Sequence, residues 1–591
     1  MNNKQKIKKG GQWLLSPAAQ HTIFTRETFT DEHRQIEKMV FDFAEDTILP
    51  QVKDIEDLSE DLSRSILLKM GELGLIGVDT PEEYGGTNLD KITACLITEG
   101  VSWGGSASFG CTFGVQTGIG SLGIVFFGTE EQKKKYLPKL NSGEWIAAYG
   151  LTEPSSGSDA LSAKTTAFLS EDKRHYILNG EKQFVSNGGW ADIYTILAQV
   201  EGNKFSGFIV DRNTEGLSIG NEEKKLGMKG SSTTSIKFKD AKVPVENLLY
   251  KVGKGATIAF NALNIGRYKL GSASVGGSKQ AIKQSIRYSL DRRQFGQPIA
   301  RFDSILGKIA NMTIRIYVAD TMLYRTVGMI QDAIDSLDKN DPKYYIRMGE
   351  AMEQFAIEAS MAKVYGSETS SMIVDNCLQI FGGYGFIEEY PIAMAYRDDR
   401  INRIWEGTNE INRSIITGYL MKNVLMEEIS LRDIIQTKED IISKIADPKE
   451  LFSEYILGIE AAKVMVVLIF HEALCQFGQD LKHEQQLSET LADMFSLLYT
   501  TESVICRAKQ MPQLKNSNFM AHIARIHVTE SLLDLSKFAF KCLNRIFASN
   551  IPSEILTNLN SLQGKMQLST DTIGLKRELA EYVLAKKEYP F

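Results

Sequence analysis

A glutamate preceded by apolar residues is the first feature of this sequence that could take part in a reaction. Glu406 lies in YRDDRINRIWEGTNEINR (residues 396–413), where it follows Ile404 and Trp405 and precedes Gly407. Burial among apolar side chains raises the pKa of a carboxyl group, so that it can act as a base near neutral pH. Gly407 would let another molecule approach the backbone closely. The alternative is a solvated loop carboxylate, the usual situation for an unpaired glutamate.

A helix is needed to hold this carboxylate in place. Apolar side chains recur at helical spacing after it, at Ile411, Ile415 and Tyr419. This pattern predicts a helix that begins near Thr408, with Thr408 as its N-cap. Glu410 would then lie in the first turn, where the helix dipole favours a carboxylate. Glu406 and Gly407 would form a tight loop just before the helix.

The sequence of residues 396–413 resembles the signature of the acyl-CoA dehydrogenases, in which the Glu before Gly-Thr removes the α-proton of the substrate. Further motifs over roughly residues 30–420 resemble the same family in the same order. The resemblance implies an α+β multi-domain protein with an N-terminal helical domain, a middle β-barrel-like domain and a C-terminal four-helix bundle. It also implies FAD as the cofactor and acyl-CoA as the substrate.

Composition excludes several other classes of protein. At 591 residues the chain should form roughly three to four domains. A net charge of −7 argues against nucleic acid as a partner. Six scattered cysteines without a CxxC pair indicate buried thiols in a reducing compartment, and the histidines lack the spacing of metal ligands. The basic N-terminus has no apolar segment of a secretory signal, so a bacterial cytoplasmic location is expected.

Changes in the period of the apolar residues divide the chain into six segments. The period is helical up to about Gly150, becomes two in the middle of the chain, and is helical again from Gly255. One long helix is predicted after Pro342, ending at Ile380. The segments are an N-terminal extension (1–30), a helical domain (31–148), a β domain (149–250), a helical bundle (255–420), a linker (421–450) and an extra helical domain (451–591).

The motif YGLTEPSSGSD, residues 149–159, is rich in hydroxyl groups and small residues. Such a loop offers N–H and O–H donors to a polar ring or a phosphate, although a plain cluster of turns would have the same composition. The resemblance implies that Tyr149, Leu151 and Thr152 contact the flavin ring and that Ser158 binds both cofactor and the coenzyme A part of the substrate.

A second motif, KQFVSNGG at residues 182–189, resembles the segment that packs on the flavin. The resemblance assigns Phe184, Val185 and Ser186 to the cofactor, with the hydroxyl of Ser186 near flavin N5. Phe184 stands where the family usually has Trp. Its ring can still pack on a flavin, but the departure puts in doubt any role of the usual Trp in electron exit.

Further motifs resemble the substrate site and a site shared between subunits. Asn264 and Arg267 match positions at the adenosine end of the substrate, and Gly407 is assigned to the substrate as well; a plain surface arginine is the alternative for Arg267. The positions matched to the cofactor in the helical bundle are Arg292, Phe295, Phe302, Gln379, Gly382, Gly383, Thr408 and Glu410. Several of them would reach the FAD of a neighbouring subunit, so the resemblance implies a flavin site completed in an oligomer.

The glycines of the N-terminal domain bear on the substrate. GIGSLG, residues 118–123, fits a dinucleotide fingerprint, but no strand leads into it. The resemblance instead places this segment at the far end of the acyl pocket. Gly114, Gly118 and Gly120 would leave that end open, as in very-long-chain members, whereas close helix packing is the alternative.

The reaction implied by the resemblance is the first step of fatty acid β-oxidation. Glu406 would take the α-proton while the β-hydrogen leaves as hydride to flavin N5, giving a trans-2-enoyl-CoA, and electrons would pass to electron-transfer flavoprotein. The rivals are an acyl-CoA oxidase and a non-catalytic assembly protein of the same fold. The extra domain resembles that of the very-long-chain group and suggests a homodimer. Peripheral contact with the inner membrane is less favoured, because the linker lacks a basic face.

Overall fold

The computed structural model of the chain describes residues 9–18, 22–436 and 451–591. A helical domain precedes the β domain, and polar N-caps begin several of its helices: the side chains of Thr30, Asp90 and Thr129 accept hydrogen bonds from backbone N–H groups three residues on. Its helices are α1 (Asp31–Phe43), α2 (Val52–Glu56), α3 (Glu60–Glu72), α4 (Lys91–Trp103), α5 (Ala107–Gln116), α6 (Leu122–Phe127) and α7 (Glu130–Asn141).

The middle of the chain forms one eight-stranded sheet, as its period of two predicts. Its strands are β1 (Ala147–Gly150), β2 (Thr166–Leu169), β3 (His175–Ser186), β4 (Ile193–Val200), β5 (Lys204–Asp211), β6 (Leu217–Ile219), β7 (Thr233–Pro244) and β8 (Leu248–Leu249). The order is β6-β7-β3-β2-β4-β5-β8, and β1 pairs in parallel with β4. The two motifs matched to the flavin therefore lie at the end of β1 and along β3.

The helical bundle follows. It consists of α8 (Gly255–Asp291), α9 (Asp303–Asp335), α10 (Tyr344–Glu353), α11 (Ala356–Phe381), α12 (Pro391–Asp399) and α13 (Asn409–Leu425), with the short hairpin strands β9 (Arg293–Gln294) and β10 (Gln297–Pro298) after α8. The prediction of a single long helix that ends at Ile380 is wrong, because the helix is interrupted between α10 and α11. Phe355 leaves helical geometry there (φ −105°, ψ 26°) with its side chain fully buried.

The extra helical domain shares a hydrophobic core with the bundle. Its helices are α14 (Ser453–Phe477), α15 (Gln485–Gln510), α16 (Ser517–Ile546), α17 (Ser553–Met566) and α18 (Thr572–Lys586). Helix α15 packs against α9 and α13, and α18 packs against α9. Between the two domains, α13 continues past the predicted start of the linker to Leu425, and residues 431–436 are helical. Residues 437–450 of the predicted linker lie outside the described residues.

The described part of the N-terminal extension was expected to be irregular but contains 3-10 turns at Gln12–Leu15 and Arg26–Thr28, and it contacts both the bundle and the extra domain. The indole of Trp13 is fully buried and donates to Glu358 of α11. The backbone N–H of Ala18 donates to Glu460 of α14 at 2.8 Å. The side chain of Glu27 forms an ion pair with Arg507 of α15 at 2.6 Å. The extension therefore joins two domains.

Two expectations from composition can be compared with the described residues. Five of the six cysteines are buried, whereas Cys475 at the end of α14 is exposed, so the expectation of buried thiols is wrong for that residue. Within residues 9–18, 22–436 and 451–591, no helix is long and apolar enough to cross a membrane, and no group of three acidic, His or Cys side chains could hold a metal ion.

Candidate active site

The loop before α13 holds two successive residues in the left-handed region. Glu406 has φ +55° and Gly407 has φ +80°. This conformation costs about 1–3 kcal/mol for a residue with a side chain, so the surroundings must hold it. The amide of Asn412 donates to the carbonyl oxygens of Glu406 at 3.4 Å and Gly407 at 2.8 Å. The side chain of Thr408 accepts from the N–H of Ile411, which confirms the predicted N-cap.

The carboxylate of Glu406 lies directly over Gly266 of α8. A Cβ built on Gly266 would stand 2.4 Å from Oε2 and 2.7 Å from Cδ of Glu406. Real Cβ atoms do not approach other atoms so closely, so a side chain at position 266 would displace the carboxylate. The absence of a side chain at Gly266 thus creates the space in which the Glu406 carboxylate lies.

Burial raises the pKa of Glu406 to about 7, and the positive charges of Arg267 and Lys363 oppose this rise. Its Oε2 atom is buried and accepts no hydrogen bond from the part of the chain that is described. The nearby hydroxyl of Tyr149 is buried without a partner in the same described residues, and burial together with Glu406 raises its pKa well above the usual range. The site therefore contains a carboxyl group whose pKa is raised toward neutrality and whose Oε2 has no hydrogen-bond partner among the described residues.

Arg267 belongs to the same site. Its side chain is 6% exposed, so the alternative of a plain surface arginine is wrong. One guanidinium nitrogen, Nη1, donates to Oδ1 of Asn264 at 2.6 Å, and burial lowers the pKa of Arg267. Its Nε is buried and has no hydrogen-bond partner among the described residues. The predicted pair of Asn264 and Arg267 is therefore in contact, and the guanidinium retains a donor for another molecule.

Apolar side chains from three segments pack together beside the loop that carries Glu406. They are Cys111 and Val115 of α5, Met228 of the β domain, and Ile401 and Trp405. Asp398 holds this apolar cluster in place, since its carboxylate accepts from the N–H of Met228 at 2.5 Å, and burial raises the pKa of Asp398 to about 7. Asp398 belongs to the motif of residues 396–413, but no role was predicted for it.

The three glycines that were expected to open the acyl pocket differ in how much free space surrounds them. A Cβ on Gly114 of α5 would meet nothing within 4 Å, so α5 borders open space there. A Cβ on Gly118 would lie 2.5 Å from the carbonyl oxygen of Gly114, and one on Gly120 would lie 2.8 Å from Cβ of Ala147. The expectation is therefore wrong for Gly118 and Gly120, which are required for close packing.

A buried ion pair joins the two motifs matched to the flavin. Nζ of Lys182 lies 2.6 Å from Oε1 of Glu153, and both side chains are almost completely buried. Lys182 also donates to the carbonyl oxygen of Leu151 at 3.3 Å, and the N–H of Gln183 donates to that of Thr152 at 2.9 Å. The loop after β1 is thus fixed to β3. The pair was not predicted, although a glutamate and a lysine, one in each of two polar motifs, are a signal for such an ion pair.

The residues at the end of β3 leave room for a planar ligand. Phe184 has a left-handed backbone (φ +56°) and a ring that is 58% exposed, whereas the next residue, Val185, is buried. Ser186 is partly buried, Ser158 is exposed, and a Cβ on Gly157 would meet nothing within 4 Å. An exposed aromatic ring, a hydroxyl-rich loop and the unpartnered hydroxyl of Tyr149 fit the aromatic and polar parts of a flavin.

The remaining residues matched to the cofactor lie elsewhere. Since a helix rises about 1.5 Å per residue, Arg292 lies about 39 Å along α8 from Gly266. Arg292 and Glu406 of the same chain therefore cannot contact the same flavin. Phe295 is 93% exposed and contacts the ring of Phe302, while Gln379, Gly382 and Gly383 are exposed at the end of α11. A cavity of about 490 Å³ there is lined by Tyr288, Arg292, Gln294, Ile299, Ile380, Phe381, Gly382, Gly383, Tyr384 and Ile387. Near Glu406, Thr408 is partly buried and Glu410 is exposed.

Comparison with known proteins gives consistent matches over most of the chain. Models of the acyl-CoA dehydrogenase N-terminal, middle and C-terminal domains match residues 30–144, 148–241 and 253–421. A further acyl-CoA dehydrogenase C-terminal domain model matches residues 461–557.

Relatives extend these matches. The chain is 46% identical to a probable acyl-CoA dehydrogenase of Bacillus subtilis, over 99% of this chain and 98% of that one. It is 37% identical to the mitochondrial very long-chain specific acyl-CoA dehydrogenase of Homo sapiens, over 69% of this chain and 60% of that one. A crystal structure of acyl-CoA dehydrogenase complexed with FAD from Bacillus anthracis superimposes with a TM-score of 0.94 and 41% identity, covering 99% of this chain and 100% of the other.

Proposed function

The chain belongs to the acyl-CoA dehydrogenase family and is an FAD-dependent oxidoreductase acting on CH–CH bonds, and we propose that Glu406 is the base of its reaction. The observation that carries this proposal is the buried carboxylate over Gly266, with a pKa of about 7 and an oxygen that accepts no hydrogen bond within the described residues. A base with this pKa is deprotonated in a useful fraction of molecules at neutral pH and can hold the proton it takes.

Glu406 takes the α-proton of the acyl thioester. That proton is weakly acidic, and it becomes removable when donors stabilise the charge that builds on the thioester oxygen; we assign the backbone N–H of Glu406 to this role. When bound, FAD supplies the acceptor for the hydride that leaves the β-carbon. The apolar side chains of Met228, Ile401 and Trp405 exclude water from the site, which strengthens these electrostatic interactions. The product is a trans-2-enoyl-CoA.

We assign the cofactor and substrate contacts residue by residue. Tyr149, Leu151, Thr152, Phe184 and Ser186 would hold the flavin ring, supported by the ion pair that fixes their two segments together.

The coenzyme A part would lie near residues of other segments. Ser158 is exposed in its loop, which makes its hydroxyl available to the coenzyme A part, whereas Arg267 lies beside Glu406 with a buried Nε and would contact the substrate near its acyl end. Asn264 would orient Arg267 through the hydrogen bond already formed.

A long- or very-long-chain acyl group is the proposed substrate. Support comes from Gly114, because the space beside it in α5 adjoins the apolar cluster that includes Cys111 and Val115. A longer side chain at this position would fill part of the space that an extended acyl chain needs. Similarity to a very long-chain specific enzyme supports the same assignment.

We assign a homodimer, electron-transfer flavoprotein as the electron acceptor, the first step of fatty acid β-oxidation as the role and the bacterial cytoplasm as the location. The exposed patch of Arg292, Phe295 and Gly382 supports the dimer, because these residues lie too far from Glu406 to serve the same flavin in one chain. The family usually forms tetramers, and we assign the extra domain a structural role in which it takes the place of the second dimer; the packing of α15 and α18 on α9 supports this assignment.

The proposal is tested by mixing the purified holoenzyme without oxygen with saturated acyl-CoAs from short to very long. The expected result is rapid bleaching of flavin absorbance by the long thioesters, with slow return of colour on adding air and fast return with electron-transfer flavoprotein. Fast return in air would instead support the oxidase. Bleaching by none of the thioesters would leave the non-catalytic assembly protein, and a best substrate among short chains would overturn the assignment based on Gly114.

A further inference from the structure

A buried lysine contacts the loop that carries Glu406. Lys363 lies on α11, its side chain is inaccessible to solvent, and its Nζ donates to the carbonyl oxygen of Gly407 at 2.8 Å and to Oδ1 of Asn409 at 2.7 Å. It therefore holds the residue just after Glu406 and the first residue of α13. Together with Asn412, which donates to the same carbonyl oxygen of Gly407, it fixes the two left-handed residues of the loop.

The charge of this lysine is expensive to bury. Burial lowers the pKa of Lys363 to about 8, and Glu406 is the largest of the charges that oppose this shift. The two hydrogen bonds made by Nζ go to uncharged oxygen atoms, for which a neutral amide donor would serve. A cation at this position is therefore better explained by its effect on the neighbouring carboxylate than by the needs of the loop.

Ionisable groups from four elements face Glu406. They are Arg267 of α8, Lys363 of α11, Tyr149 of β1 and Cys111 of α5. Arg267 and Lys363 supply positive charge, whereas ionisation of Tyr149 or Cys111 beside the carboxylate is disfavoured because both are buried. The charges of Arg267 and Lys363 both oppose the effect of burial on Glu406, and the effect of Arg267 is the larger; Lys363 combines its charge with direct contact to the loop.

We propose that Lys363 is a positioning residue for Glu406, whose ammonium group anchors the Glu406–Gly407 loop and acts together with Arg267 to keep the carboxylate ionised. This inference rests on the proposed role of Glu406 as the base. Removal of the ammonium charge leaves burial less opposed, so the pKa of Glu406 rises further. At a given pH below that pKa, fewer molecules then carry the base in its active form.

Proton removal can be measured without turnover. A 3,3-dimethylacyl-CoA has no β-hydrogen, so the holoenzyme in heavy water can only exchange its α-hydrogens for deuterium, which mass spectrometry detects. We expect the acid limb of the exchange rate against pH to move up by about one unit in Lys363→Met, which is about a tenfold loss well below the pKa, with recovery at higher pH. Lys363→Arg keeps the positive charge, so the acid limb of its exchange rate should lie at the same pH as in the parent protein.

Two further variants complete the test. Ser367→Ala removes a hydrogen bond to Asn409 at 3.3 Å without changing charge, so its acid limb should not move. Lys363→Gln, which keeps a donor, should show the same shift as Lys363→Met and serves if the methionine variant does not fold. An acid limb that stays at the parent pH in both uncharged variants, whether or not the rate falls uniformly, would overturn the inference. Exchange that persists in Glu406→Gln would overturn the proposed function itself.

Discussion

The substitution Gly266→Ala should damage the reaction while leaving the fold intact. The new methyl group would stand 2.4 Å from Oε2 of Glu406, whereas ordinary contact begins at 3.4 Å. The carboxylate must therefore retreat by about 1 Å, and a displacement of this size costs about a hundredfold in rate, or about 2.7 kcal/mol in the barrier.

The stability of the Gly266→Ala variant should change little. The atoms that the methyl group meets are the end of a flexible side chain, which can swing aside. Alanine within a helix is favoured over glycine by about 0.5–1 kcal/mol, which offsets part of the cost of moving Glu406. The midpoint of thermal unfolding should therefore stay within a few degrees of the parent protein.

The assay is stopped-flow bleaching of flavin by a saturating acyl-CoA without oxygen, with thermal unfolding of the same samples. Gly277 offers a matched control, since it lies in the same helix and a Cβ there meets nothing within 4 Å. Gly277→Ala should keep the parent rate. If Gly266→Ala bleaches within twofold of the parent, or if both variants lose rate equally, the position of the Glu406 carboxylate over Gly266 has no part in the reaction.

Three further predictions follow from other parts of the site. Gly114→Phe should slow bleaching by long thioesters at least tenfold while short ones react as before, because the ring fills the open space beside α5; equal slowing of both would contradict the assignment. Lys182→Met should lower the free energy of unfolding, measured by denaturant titration, by about 3–5 kcal/mol, because it leaves Glu153 charged and buried. The control Lys237→Met, which removes the exposed ion pair of Lys237 with Glu181, should change the free energy of unfolding by less than about 1 kcal/mol. The bleaching rate of the parent should fall as pH decreases through about 7, since Glu406 must be deprotonated; a rate independent of pH from 5 to 8 would be inconsistent with this base.

Local sequence predicted the parts of the site that depend on neighbours along the chain. The N-cap at Thr408 and the strands around the flavin motifs follow from side-chain chemistry and period, and the structure confirms them. Glu406 could be singled out as a candidate because its apolar neighbours and Gly407 are adjacent in sequence, and its role as the base stays a proposal.

Contacts between distant segments could not be predicted in this way. The space over Gly266, the donor from Lys363 and the ion pair of Lys182 with Glu153 each depend on how separate elements pack. Lys363 carried a weak signal, since it is a lysine within an apolar helical stretch. The burial of Trp13 had no periodic signal, because its 3-10 turn, Gln12–Leu15, is too short to show a period and its partners belong to the bundle and the extra domain.

The most direct test of the central claim compares Glu406→Gln with the parent holoenzyme in anaerobic single-turnover bleaching, after flavin content has been matched by absorbance. Glutamine keeps the size of the side chain but cannot take a proton at neutral pH. Loss of a general base predicts a rate at least about a hundredfold lower, with flavin still bound and the fold unchanged. Bleaching within tenfold of the parent would show that a group other than Glu406 removes the α-proton.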